Sequence, residues 1–194
     1  MARIAPSPAF AGTPTADLGQ GDRINRDVSA ILARRPEVAK AFGALQSTLR
    51  KTGTLSPRLV ELLRLRIAFH NQCRSCMSIR YQSGIDGGVT EETVCSLERP
   101  AEAADLSAAE RSALNFADLV ATNHLAIDDA IYDDLRRHFT EDELVELGVQ
   151  CATMVGFGRV VATWDVADDL PEGLKVNAGK PFAPWRADSV VASG

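Results

Sequence analysis

The chain has 194 residues, of which 45% are hydrophobic and 24% charged, with a formal net charge of -5. That length suits one domain with a sizeable core and leaves little room for two, and the composition excludes extended disorder. The acidic balance excludes general binding to nucleic acid, because no basic excess is available to displace phosphate counterions.

No stretch approaches the roughly 18 consecutive apolar residues of a membrane span. The start "MARIAPSPAFAGTPTADLGQGD" has no continuous apolar region behind its arginine. A cytoplasmic protein without membrane contact is therefore expected. In that reducing compartment four cysteines are not a disulfide framework, so Cys73 and Cys76 read as catalytic, metal-binding or simply buried. Cys95 and Cys151 have no close partner in sequence and read as small core hydrophobes.

Residues 1–22 are rich in Ala, Pro, Gly and Thr without periodicity and read as an extended or mobile arm. Helical signals begin at Asp27, with Val28, Ile31 and Leu32, and restart at Pro36. Val38, Phe42, Leu45 and Leu49 then form an amphipathic stripe that Gly53 ends. Ser56 followed by Pro57 is an N-cap with proline at the first helical position. Leu59, Leu62, Leu63, Ile67 and Phe69 make the helix that follows apolar over much of its girth, hence central. Asn71 is a candidate cap for a further helix that carries both cysteines and stops near Gly84, a natural left-handed terminator. A short helix follows Thr90.

"SAAE" from Ser107 and "TEDE" from Thr140 both fit the capping box and start two more helices. Between them Ile127, Ile131, Leu135 and Phe139 form a helical stripe. Asp128 and Asp129 lie in its first turn, and Arg136, Arg137 and His138 in its last, an order that complements the helix dipole. Leu144, Leu147, Gly148, Cys151, Met154 and Val155 mark the buried side of the last helix. Apart from the short "VVAS" no strand pattern is present, so the fold class is all-α. The expected organisation is a helical domain over 23–169 and an extended arm over 170–194, lying on its own domain or on a neighbouring subunit.

If Cys73 and Cys76 share one helix, the i, i+3 spacing puts both sulfurs on one face, near the partial positive charge of the helix start. A thiolate beside a thiol can attack a peroxide, pass through a sulfenic acid and resolve to a disulfide. Position alone favours Cys73 as the more acidic thiol.

"ELLRLRIAFHNQCRSCMSIR" from Glu61, followed by "LSAAERSALNFADLVATN" and "FTEDELVELGVQCATMVGFGRVV", resembles the AhpD-like branch of the carboxymuconolactone decarboxylase family, from about Pro36 to Trp164. The resemblance implies an AhpD-like all-helical domain in homo-oligomers, trimers or hexamers, and a thiol-dependent peroxidase or disulfide reductase. It casts Cys76 as the peroxidatic cysteine, Cys73 as the resolving one, and Glu61 as the relay glutamate. The substrate is then a small hydroperoxide or disulfide, the reductant a thiol or redox protein, and no cofactor or metal is expected.

The family's peroxidases have a histidine immediately before the second cysteine and another four residues after it; here those positions are Ser75 and Arg80. Arg80, one helical turn beyond Cys76, could stabilise a thiolate or hold an anion, but a guanidinium cannot shuttle a proton. His70 is the nearest substitute base, and also reads as a hydrogen-bonded structural residue. Glu61 is about 18 Å from Cys73 along a straight helix, so it serves the sulfurs only if the chain turns near His70 and Asn71. Three alternatives stand beside this reading. One is a zinc site at His70, Cys73 and Cys76, with Cys95 or His124 as fourth ligand. The others are a decarboxylase-like lyase or isomerase with Arg80 as carboxylate clamp, and a non-catalytic oligomer that has lost the relay.

Overall fold

The helix from Pro57 to His70 (α3) is the hub of the fold. Leu62, Leu63 and Leu65 on it have no exposed surface, and Leu59 and Ile67 have almost none, each such side chain contributing roughly 1.5–3 kcal/mol of hydrophobic stabilisation. It is started as its sequence dictates: Ser56 accepts the Leu59 amide, with Pro57 at the first helical position. The computed structural model describes residues 2–10, 15–175 and 181–193. The remaining parts of the expected arms, 1, 11–14, 176–180 and 194, lie outside the described residues.

Around α3 the chain runs α1 (Gln20–Leu32), α2 (Pro36–Thr52), α3, α4 (Arg74–Ser78), β1 (Ile79–Tyr81), α5 (Gln82–Asp86), α6 (Glu91–Ser96), α7 (Ala108–Thr122), α8 (Asp129–Leu135), α9 (Glu141–Trp164), α10 (Glu172–Lys175) and β2 (Val190–Ala192). Helix makes up 65% of the structure and strand 3%, so the all-α class stands. The main core joins α3 to Val94, Leu97, Leu114 and Phe116, to Leu135, and to Leu147 and Cys151 of α9. Both capping boxes form: Ser107 with Glu110 at α7, and Thr140 with Glu143 at α9. Thr90 and Asp128 cap α6 and α8.

Several expectations change. The first helix begins at Gln20, seven residues before the helical signals that start at Asp27, because its leading turns bury only Gly21 and Ile24 and show little apolar pattern. Asn71 ends α3 instead of starting the next helix, with its side chain donating to Met154 O and accepting from Arg159 Nε. The single helix expected through Gly84 is broken into α4, β1 and α5. The reason lies far away in sequence: Ile79–Tyr81 pairs in parallel with Val190–Ala192, Ile79 opposite Val190. Gly84 sits inside α5, which ends at Gly87, and Gly88 takes the left-handed conformation at φ 92°. Arg136, Arg137 and His138 lie beyond α8 instead of in its last turn.

The described parts of the C-terminal segment pack against the helices of the same chain. Leu170, Leu174 and Ala192 share a small core with Ile24 and Ile79, and Trp185 packs on Phe69 with ring centroids 4.5 Å apart. Near the other terminus Ser7 donates its amide to Ala30 O, and Arg3 donates its own to Trp164 O. In contrast, α2 contains no buried residue despite its apolar stripe.

Candidate redox site

After α3 the chain reverses within three residues. Gln72 adopts φ 51°, a left-handed conformation that a non-glycine side chain enters only at a cost. Its side chain supplies compensating bonds: Nε2 donates to Phe69 O and Phe182 O, and Oε1 accepts the Phe182 amide. The Cys73 amide then donates to Ala68 O. Cys73, not Asn71, is the N-cap of α4.

Cys73 and Cys76 are joined as a disulfide, with Cα atoms 5.2 Å apart. Cys73 has no exposed surface, whereas Cys76 is partly exposed. The Cys76 amide points at Cys73 Sγ at 3.3 Å, and Ser75 Oγ lies 3.5 Å from the same sulfur. The pair sits in an apolar cluster of Val28, Ile31 and Leu32 from α1 and Phe157, Val161 and Trp164 from α9. Phe157 in turn stacks on Phe42 of α2, centroids 4.2 Å apart.

Glu61 is 3% exposed and does reach this turn, through an intermediary. Arg64 Nε and Nη2 each donate to its carboxylate at 2.7 Å. The same guanidinium donates to Cys76 O through Nη1 and to Ile79 O through Nη2, both at 2.6 Å. The Tyr81 amide completes the set by donating to Glu61 Oε1. Burial by itself would lower the Arg64 pKa, but the Glu61 charge and hydrogen bonds hold it above the ordinary arginine value. Such a fork matches a carboxylate bidentately and spares two donors for carbonyls. The i, i+3 spacing of Glu61 and Arg64 on a helix was the available sequence signal for this residue, which sequence reasoning passed over.

The other two candidates sit in separate networks. Arg80 lies in β1, not on a helix face shared with Cys76. It is buried, with Nε and Nη2 on the Glu91 carboxylate and further bonds to Met77 O, Ile79 O and Pro184 O. Its donors are committed to the protein. His70 Nε2 lies 2.6 Å from Asp118 Oδ1, and Arg66 grips the same carboxylate bidentately. Burial pushes the Asp118 pKa up, but the bonds from His70 and Arg66 and the Arg66 charge bring it below the ordinary value. Among the described residues no group of three or more His, Cys, Asp or Glu side chains is placed to hold a metal ion.

Residues 36–119 match the carboxymuconolactone decarboxylase family. The chain is 34% identical over 111 residues to two uncharacterized proteins from two strains of Mycobacterium tuberculosis, covering 56% of this chain and 38% of each relative. It thus spans about two fifths of the length of these curated relatives. Among solved structures it is similar to the AhpD-core, peroxidase-related protein from Ralstonia eutropha (TM-score 0.63, 20% identity, 93% of this chain and 98% of that one). It is similar to an Agrobacterium tumefaciens protein of unknown function, a candidate antioxidant defence protein AhpD (TM-score 0.60, 24% identity, 69% and 92% covered). A third is a variant of the debrominase Bmp8 bound to 2,3,4-tribromopyrrole (TM-score 0.61, 19% identity, 89% and 93% covered). At these identities the likeness establishes the AhpD-like fold.

Proposed function

We propose, for a chain whose residues 36–119 match the carboxymuconolactone decarboxylase family and whose fold is AhpD-like, that it is a member of that family and a thiol-dependent oxidoreductase working through Cys73 and Cys76. The observation that carries this reading is the asymmetric pair: one buried cysteine and one partly exposed, bonded at a turn held by Arg64. Cys76 is the partly exposed member of the pair, which supports it as the attacking thiol over the position-based expectation for Cys73.

The chemistry runs as follows. The Cys76 thiolate attacks a hydroperoxide oxygen, the O–O bond breaks, and the alcohol leaves after taking a proton. Cys76 is then a sulfenic acid. The Cys73 thiolate attacks that sulfur, hydroxide leaves as water after protonation, and the disulfide forms. An external thiol or dithiol redox protein returns both cysteines to the reduced state and is itself oxidised. A disulfide substrate enters the same cycle at Cys76. Glu61 acts here as a positioning residue, because Arg64 and the Tyr81 amide already engage its carboxylate. The lyase alternative needs a free carboxylate clamp, and the engagement of Arg80 by Glu91 and three carbonyls favours thiol chemistry over it.

Two apolar surfaces support a homo-oligomer, trimer or hexamer. In α2, Val38 and Leu45 are 49% and 39% exposed. In α9 the most hydrophobic window reaches a mean hydropathy of 1.3 and is only 22% buried. By length and composition alone that helix could cross a membrane; its contacts with α3 and α7 make it a bundle helix here, and a neighbouring copy would cover its outer side. A reducing, cytoplasmic setting fits the proposed cycle.

The test is peptide mass spectrometry after one equivalent of an organic hydroperoxide is added to fully reduced protein. Rapid loss of two hydrogen atoms with a Cys73–Cys76 cross-link is expected, and hydroperoxide consumption should be slowed by Cys76→Ser or Glu61→Gln. Thiols that stay unreacted for hours would overturn the peroxidase reading.

A further inference from the structure

Ser75 is buried, and among the described residues the one hydrogen-bond partner of its hydroxyl is Cys73 Sγ, 3.5 Å away. A sulfur bonded to another sulfur carries no proton, so in the disulfide the hydroxyl is the donor. The Cys76 amide is a second donor to the same atom. A disulfide sulfur is a weak acceptor, while a thiolate is a strong one. Two donors therefore converge on an atom that can use them fully only when the disulfide is open. We propose that Ser75 is a positioning residue for thiol–disulfide exchange: its hydroxyl stabilises Cys73 as the leaving thiolate, so that an incoming thiol attacks Cys76.

The inference rests on the redox reading of this pair and adds the direction of exchange. A thiolate such as that of glutathione attacks Cys76 Sγ, the S–S bond breaks, and its electron pair departs on Cys73. A mixed disulfide remains on Cys76. A second glutathione thiolate attacks the glutathione sulfur of that mixed disulfide, releasing Cys76 and giving oxidised glutathione. Two thiols are oxidised and one disulfide is reduced. Attack on Cys73 is excluded by its lack of exposed surface. Because the stabilised species is the reduced one, Ser75 makes the disulfide easier to reduce.

The experiment equilibrates the full-length protein with mixtures of reduced and oxidised glutathione and counts disulfide by alkylation and mass spectrometry. Ser75→Ala is expected to lower the equilibrium constant for reduction about tenfold, equivalent to about 30 mV for a two-electron couple. Ser75→Thr, which keeps the hydroxyl, is expected to recover most of the loss relative to Ser75→Val. The glutathione adduct should form on Cys76 in Cys73→Ser and be missing from Cys73 in Cys76→Ser. In the Cys76→Ser background, the ultraviolet thiolate absorbance of Cys73 should move to higher pH when Ser75→Ala is added. Unchanged equilibrium and titration in Ser75→Ala, or an adduct on Cys73, overturns the inference while leaving the redox reading in place. A wild-type disulfide that does not exchange at all overturns both.

Discussion

The Tyr81 amide donates to Glu61 Oε1 at 3.1 Å, although the two residues are twenty positions apart and belong to different elements. That bond, with the Arg64 fork, ties the strand after the cysteines to the hub helix before them. Glu61 and Arg64 form a buried pair, and removing one partner of such a pair is strongly destabilising. Arg64→Ala is expected to cost about 3–5 kcal/mol, because it leaves the Glu61 carboxylate buried without its counter-charge. Glu61→Gln should cost less. The double variant should cost less than the sum, since both changes remove one interaction. Urea denaturation measures all three, and strictly additive losses would contradict the pairing.

Gly84 faces Glu61 so closely that a Cβ would lie 2.6 Å from Glu61 Cγ and 2.7 Å from its Cβ. Both atoms belong to the stem of a side chain held at its tip, so they have little freedom to withdraw. Gly84→Ala is expected to destabilise the protein by about 1–3 kcal/mol, in spite of alanine's better helix propensity. A midpoint at or above wild type in denaturant would show that α5 can move away.

The lowered pKa of Asp118 fixes the sign of its contribution to stability. With an ordinary value of 3.8 and a lower one in the folded state, its stabilising effect is fully present above the unfolded value and is lost as pH falls through the folded one. Asp118→Asn should therefore be less stable than wild type at neutral pH, and the gap should close only below pH 3.8. Thermal melts at a series of pH values check this; a gap that is constant down to strong acid would assign the loss to shape.

The exposed apolar faces of α2 and α9 give a prediction about assembly. Val145 is 68% exposed and Val160 48%. Leu45→Glu or Val145→Glu should shift the protein toward monomer in light scattering coupled to gel filtration, with little change in helix content. Charge placed on a free surface would leave the mass unchanged.

The two remaining cysteines should differ in reactivity. Burial pushes the Cys151 thiol up to about 12, and reaction requires the thiolate. Cys95 is partly exposed. Iodoacetamide at mild alkaline pH should label Cys95 in the native fold and reach Cys151 only after unfolding. Early labelling of Cys151 would mean that α9 opens locally.

Much of this molecule is set by local physical chemistry, and that part is legible in the residues. Ser56 with Pro57, Thr90, Asp128 and the two capping boxes fix helix starts through bonds spanning three residues, and the girdle of leucines marks α3 as the hub. The cysteine pair declares itself by spacing. The path between Asn71 and Gly84 is decided elsewhere: Ile79–Tyr81 becomes a strand because Val190–Ala192 lies beside it, and Gln72 turns left-handed where Phe182 meets its side chain. Arg80 reads from spacing as a neighbour of Cys76, yet Glu91 and Pro184 claim it. Which cysteine is buried is likewise an outcome of packing against α1 and α9. Contacts that close over about a hundred residues depend on the whole core being formed, and no short window of sequence contains both partners.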